Sequence, residues 1–268
     1  MLPHPEFDLE IATARKELYQ PDSRNPQVAA SNLDEDLRRR DFTINAMAIA
    51  ISPNQWGNFY DPFGGVQDLK KELLRTPMHP DETFFDDPLR MMRAVRFATQ
   101  LRFRIDDAAF QAIRQNAERI SIISKERIRD ELLKILGAEK PSIGLILMEN
   151  SGLMPVLIPE FSALRGVEER EGYAHKDVFY HTAKVVDNVA QKSNSLTIRL
   201  AAMFHDIAKP PTKRFRRGTG WTYHGHEDLG AQLFEEIGKR LRLPSKQIKQ
   251  IQKPVSYTHL TLPTKRIV

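Results

Sequence analysis

Apolar positions divide the chain into a patchy front and a periodic body. From Asp86 to about Phe161 they recur at three- and four-residue spacing, which predicts helices near 87–101, 107–117, 124–137 and 141–152, the last closing at Gly152. A further helical block begins at Asp177. Ahead of residue 86 the pattern is broken. Phe7–Ala12 alternates like an edge strand, and residues 18–32 are polar and rich in turn formers, predicting a loop. Leu33–Ala48 then passes from dense charge to an apolar run, which puts its charges at a rim and its tail in a core. Ile49–Thr76 reads as a short strand pair or loop around Asn58–Gly65, followed by a short helix on Val66–Leu69. The glycine-broken polar stretch 165–173 marks a boundary.

The stretch 86–97 changes this picture, because arginines recur at every third position behind two acids. At about 3.6 residues per turn, Met91, Ala94, Val95, Ala98 and Leu101 share one face while Arg90, Arg93 and Arg96 wind along its flank. One reading makes Asp87 an N-cap ahead of Pro88, with the arginines as a solvated face. The other starts from hydrogen-bond inventory. A carboxylate one turn from a guanidinium sets an acceptor beside donors, complementary to an exocyclic amine next to a bare ring nitrogen. Cytosine and adenine share that edge, and guanine and uracil lack it.

Composition narrows the class. In 268 residues, 41% hydrophobic and 28% charged, there is enough apolar material for a sizeable core and more than one domain. No apolar run approaches the roughly 20 residues needed to cross a bilayer, so no membrane partner is expected. The first residues, MLPHPEFDLE, are acidic and proline-broken, unlike a signal peptide. The absence of cysteine excludes disulfides and thiolate metal sites, in keeping with a reducing, cytoplasmic location. A net charge of +5 permits a polyanionic partner such as RNA.

Several motifs then resemble one family. Arg39-Arg40-Asp41-Phe42-Thr43-Ile44-Asn45-Ala46-Met47, Asp61 with Gly64-Gly65 and Asp68-Leu69, Asp86-Asp87-Pro88-Leu89-Arg90, and Glu126–Leu132 are similar, in order, to motifs of the class II tRNA nucleotidyltransferase and poly(A) polymerase family, in particular to CCA-adding enzymes with an HD domain. The resemblance implies a mainly α chain with a small β remnant (α+β): a partial nucleotidyltransferase head over 1–75, a helical neck binding nucleotide and RNA over 76–165, and a truncated HD domain over 170–254. It implies addition of C and A to tRNA 3′ ends from CTP and ATP, without a nucleic-acid template. Asp87 and Arg90 would read the base, and Arg40, Arg93 and Arg96 would contact phosphate or ribose or hold that wall. Arg39, Asp41, Asn45, Asp61 and Asp86 would support the site, with Asp86 standing where the family often has glutamate. The family's Asp-x-Asp pair, which holds Mg2+, is expected upstream of Met1. Asp8 and Glu10 have the spacing to imitate it, but Phe7–Arg15 better matches a later strand, leaving Glu10 as a supporting acid. The chain by itself is therefore expected to bind nucleotide poorly and transfer nothing.

His181, His205-Asp206 and His226 form a second set. Adjacent helical residues project about 100° apart, close enough for His205 and Asp206 to meet one divalent metal. Their context, Met203–Lys209 and Tyr223–Glu227, resembles the HD phosphohydrolase superfamily. Three alternatives follow: a poly(A)-adding relative, a metal-dependent phosphohydrolase, and a non-catalytic RNA-binding module. Val255–Thr264 resembles a frame of a sequencing-library adapter, and residues 255–268 are read as a non-native tail, with a short terminal strand as the structural alternative.

Overall fold

The computed structural model describes residues 2–3, 8–9, 11–20, 23–171, 174–217 and 220–261. The front of the chain is a succession of small paired strands around short helices. Strands β1 (Leu2–Pro3) and β2 (Asp8–Leu9) pair antiparallel, as do β3 (Arg15–Gln20) and β4 (Ser23–Ala30). The β3–β4 hairpin corrects the loop expected over 18–32. Its ladder, running from Arg15 opposite Ala30 to Gln20 opposite Ser23, is made by main-chain groups and needs no alternation of apolar residues, so hydropathy carried no sign of it.

Helix α1 (Leu33–Arg38) follows, capped by the Asn32 side chain, which accepts from the Glu35 N–H. A 3-10 turn at Thr43–Asn45 leads to the antiparallel pair β5 (Ala48–Ile49) and β6 (Phe59–Tyr60) and then to α2 (Gly65–Lys70). Asp61 holds the start of α2 by accepting from the Gly65 and Val66 N–H groups. Strand β7 (Leu73–Leu74) pairs in parallel with β8 (Arg104–Ile105).

The helical body runs α3 (Pro80–Asp86), α4 (Leu89–Leu101), α5 (Asp107–Asn116), α6 (Lys125–Leu136), α7 (Ser142–Asn150), α8 (Leu153–Leu157) and α9 (Pro159–Ser162). Helix α4 is its centre: Met91, Ala94, Val95 and Ala98 are buried and it packs on α3, α6 and α7. Leu101, expected on the same face, is exposed as the last residue of the helix, before the left-handed Arg102.

A hairpin, β9 (Glu168–Glu171) with β10 (Ala174–Asp177), occupies the polar stretch read from the sequence as a boundary. The last block holds α10 (Val178–Ala190), α11 (Leu196–Phe204), α12 (Lys209–Thr212), the hairpin β11 (Arg214–Arg216) with β12 (Gly220–Thr222), α13 (His226–Arg240) and α14 (Ser245–Thr261). The α14 helix continues through residues 255–261, so the terminal-strand alternative is set aside, and Val255 is buried against Gly230 of α13. Residues 262–268 lie outside the described residues.

Phe161 of α9 meets Phe179 and Phe204 edge-on, Phe204 meets Phe234 at a 50° tilt, and these rings join the last block and the helical body in one core. Arg199, on α11, is buried and donates to the carbonyls of Leu136, Ala138, Ala190 and Ser193 and to the Asn194 side chain. It thereby serves the C-terminal ends of α6 and α10, where orphaned carbonyls favour a cation.

Candidate functional site

The arginine row of α4 is not a solvated face. Arg90 is buried, with its guanidinium donating to the Arg39 carbonyl at 2.6 Å and the Thr83 carbonyl at 3.4 Å. Arg93 Nε and Nη2 both lie 2.6 Å from Asp41 Oδ2, and Asp41 Oδ1 accepts from the Phe42 N–H and the Asn45 amide. Arg96 Nε donates to Glu131 Oε2 at 2.6 Å. Both of these guanidiniums flank Phe97, Arg96 at 3.9 Å from the ring centroid, and Phe97 meets Phe42 edge-on at 5.6 Å. The row therefore pins the Arg39–Asp41 segment and α6 against α4.

Asp87 does cap α4, accepting from the Leu89 N–H through Oδ1. Its other oxygen faces Arg127 Nη2 of α6 at 3.4 Å. Thus the guanidinium set beside Asp87 is Arg127, whereas Arg90 lies behind it with its donors turned to backbone. Arg127 stands inside a motif visible in the sequence, Glu126–Leu132, but its approach to Asp87 spans 40 positions and no local pattern signals it.

Around this pair, Arg39 Nη2 and Arg40 Nη2 share Asp36 at 2.6 and 3.1 Å, and Arg40 also donates to the Asn45 carbonyl. Burial alone would raise the Asp36 carboxyl, but Arg39, the Arg15 N–H and Arg40 hold it below its ordinary range. Arg40 remains exposed. Asp86 closes α3 and is half-buried. Glu10 lies outside the described residues.

The second set is brought together in part. Ligand atoms of His181, on α10, and of His205 and Asp206, at the end of α11, lie within 4.8 Å of one another. His226, at the start of α13, is not in that group; its Nδ1 meets the Tyr223 carbonyl at 2.7 Å. His205 Nδ1 is 2.8 Å from the Ala202 carbonyl, which orients the ring with Nε2 facing Asp206. Asp206 Oδ2 is 3.0 Å from both His205 Nε2 and Lys209 Nζ, while Oδ1 is buried with no hydrogen-bond partner among the described residues.

Burial works against both charges of the His205–Asp206 pair. It pushes the Asp206 carboxyl up, yet His205 and Lys209 outweigh it and hold that group well below the carboxylate range. It pushes the His205 imidazole down, yet Asp206 and the Ala202 carbonyl lift it above its ordinary value. Two imidazoles and a carboxylate, one of whose buried oxygens lacks a hydrogen-bond partner among the described residues, fit a divalent cation.

Comparison with known proteins brings the two sets into one frame. The chain matches the poly(A) polymerase head domain over residues 2–75, the probable RNA- and SrmB-binding site of polymerase A over 102–164, and the HD domain over 178–265. It is similar to the A-adding tRNA nucleotidyltransferase of Deinococcus radiodurans, 36% identical over 240 residues that cover 87% of this chain and 54% of that protein. A multifunctional CCA protein of Vibrio campbellii is likewise 36% identical over 220 residues, covering 80% of this chain and 52% of that one. Among solved structures, a CCA-adding enzyme in an apo form superposes with a TM-score of 0.59 at 26% identity, over 91% of this chain and 51% of that chain. The chain thus spans about half the length of the curated relatives it matches.

Proposed function

The chain belongs to the class II tRNA nucleotidyltransferase and poly(A) polymerase family, and on that premise we propose that it serves template-independent addition of C and A to tRNA 3′ ends from CTP and ATP. In this reading residues 1–75 close the nucleotidyltransferase head, 76–165 form the neck and 170–254 the HD domain. The observation that carries it is the acceptor–donor pair at the head of α4. Asp87 Oδ2 faces Arg127 across 3.4 Å, with Arg90 fixed behind by backbone carbonyls. An incoming cytosine or adenine would give its exocyclic amine to Asp87 and take a guanidinium N–H on its ring nitrogen. Guanine and uracil would set a carbonyl against the carboxylate and an N–H against the arginine.

The remaining roles follow from exposure. Arg40 is the arginine in position to meet phosphate or ribose, and Arg93 and Arg96, committed to Asp41 and Glu131, hold the wall. Arg39, Asn45 and Asp61 keep the wall's backbone in place through Asp36, Asp41 and the α2 N-terminus. Mg2+ is the cofactor proposed for transfer, where it would activate the 3′-hydroxyl and neutralise the triphosphate. Among the described residues, the one gathered group of three or more metal ligands is that of His181, which we read as a separate divalent site.

A second reading, A addition alone, is favoured by the similarity to the A-adding enzyme. Both readings are tested in the full-length gene product with tRNA transcripts trimmed at the 3′ end. CTP incorporation eliminates the A-only reading. Asp87→Ala and Arg127→Ala are each expected to cut CTP and ATP use by about 10²-fold or more relative to GTP and UTP, on the scale at which polar sites reject mismatched partners. Unchanged selection in both variants would return this face to scaffolding.

A further inference from the structure

The hairpin β11–β12 joins the two halves of the His-rich block, leaving α12 after Thr212 and leading into α13, which starts at His226. Its composition is unlike anything around it. From Lys213 to Tyr223 the sequence holds Lys213, Arg214, Arg216 and Arg217, the aromatics Phe215, Trp221 and Tyr223, and no acid.

The antiparallel register sets Phe215 opposite Trp221, so both project from one face, whereas Arg214 and Arg216, opposite Thr222 and Gly220, project from the other. Phe215 is 66% exposed and Trp221 51%. Their rings meet edge-on at 5.3 Å, and Lys213 Nζ sits 4.6 Å from the Trp221 centroid. Two large apolar rings held in water by a short ribbon gain little from folding, and Arg216 and Arg217 have no ion-pair partner among the described residues. The ribbon is thus a ring platform backed by uncompensated cations.

We propose that this hairpin is an RNA-binding arm, stacking unpaired bases on Phe215 and Trp221 and taking the strand's phosphates on Lys213, Arg214, Arg216 and Arg217. Every base has a π-face, and every nucleotide a negative charge, so aromatic rings beside cations fit a single strand irrespective of sequence. Paired bases bury their faces in the stack, so a duplex meets the cations only. A lipid surface fits less well, because an isolated aromatic pair lacks the continuous apolar face that interfacial helices insert. That the strand is RNA rests on the proposed function; that the hairpin grips an unpaired polyanion rests on the hairpin alone.

The test uses the 268-residue chain and binding alone, so it stands or falls separately from nucleotide transfer. Anisotropy is measured with a labelled, unstructured RNA oligonucleotide and with a duplex of equal length. Trp221 emission is followed in a Trp56→Phe background, which leaves Trp221 as the sole tryptophan. The proposal expects quenching of Trp221 by the single strand, and about tenfold weaker single-strand binding for each of Phe215→Ala and Trp221→Ala, with duplex binding little changed. It expects Arg214→Gln/Arg216→Gln/Arg217→Gln to lower the slope of log Kd against log salt by about 2, at roughly 0.7 for each phosphate no longer neutralised. Circular dichroism melts confirm that each variant is folded. Unquenched Trp221, single-strand affinity within twofold of the parent in all variants, or tighter binding to phosphatidylglycerol vesicles than to RNA would overturn it.

Discussion

Arg96 carries more of the fold than Arg93, its neighbour in the row. Its side chain is 12% exposed and that of its partner Glu131 5%, whereas Arg93 is 34% exposed against Asp41. Truncating Arg96 would leave a buried carboxylate with Lys134, itself half-exposed, as its cation. Breaking one side of a buried pair costs about 3–5 kcal/mol, the cost falling as water reaches the survivor. We therefore expect Arg96→Ala to lose about 3 kcal/mol in urea unfolding and Arg93→Ala about 1 kcal/mol. Equal, small losses would show that the row is surface pairing. The spacing of these arginines, and their attachment to a buried face, is legible in the sequence. Their partners are not, since Asp41 and Glu131 stand 52 and 35 positions away from the arginines they hold.

At the scale of elements, the periodic body was readable to within a few residues, because helix N-caps such as Asp106 and Asp177 and apolar faces both recur locally. The hairpins were not, since their pairing resides in main-chain groups. One close approach decides how the front packs. A Cβ on Gly65 would fall 2.3 Å from the Thr43 carbonyl oxygen and 2.9 Å from the Met47 side chain. Backbone cannot swing aside as a side chain can, so Gly65→Ala must push α2 off the Thr43–Asn45 turn and strain the Thr43–Asp68 hydrogen bond of 2.6 Å. A loss of about 1–3 kcal/mol is expected from such overpacking. A urea midpoint unchanged by Gly65→Ala would show that this turn yields freely.

Across the whole molecule, α9 and α13 are clamped by Glu160 and Arg240, whose two hydrogen bonds measure 2.8 and 2.6 Å. Burial pushes the Glu160 carboxyl up, but Arg240 outweighs it and lowers the group below its ordinary 4.5. A carboxyl depressed on folding contributes stability that is complete above its unfolded value and disappears as pH falls through the folded one. The stability gap between the native chain and Glu160→Gln should thus be constant from pH 7 to about 5 and close below pH 4.5. A gap indifferent to acid would mean the clamp acts through packing alone. The His205-Asp206 pair was legible because the two are adjacent, and His181 because it fits a known order. The position of His226 outside their group was not, because it depends on how α13 enters the fold.

Arg199 gives these scales a common consequence. One guanidinium accounts for carbonyls at the ends of α6 and α10 and in the turn before α11. Neither the helical body nor the His-rich block can open alone without stranding those donors in an apolar interior. Melting of the two is thereby coupled, and the boundary between matched domains is not a boundary of cooperativity. An RNA strand seated on one block would in that case slow the opening of the other, without any change of shape to carry the effect.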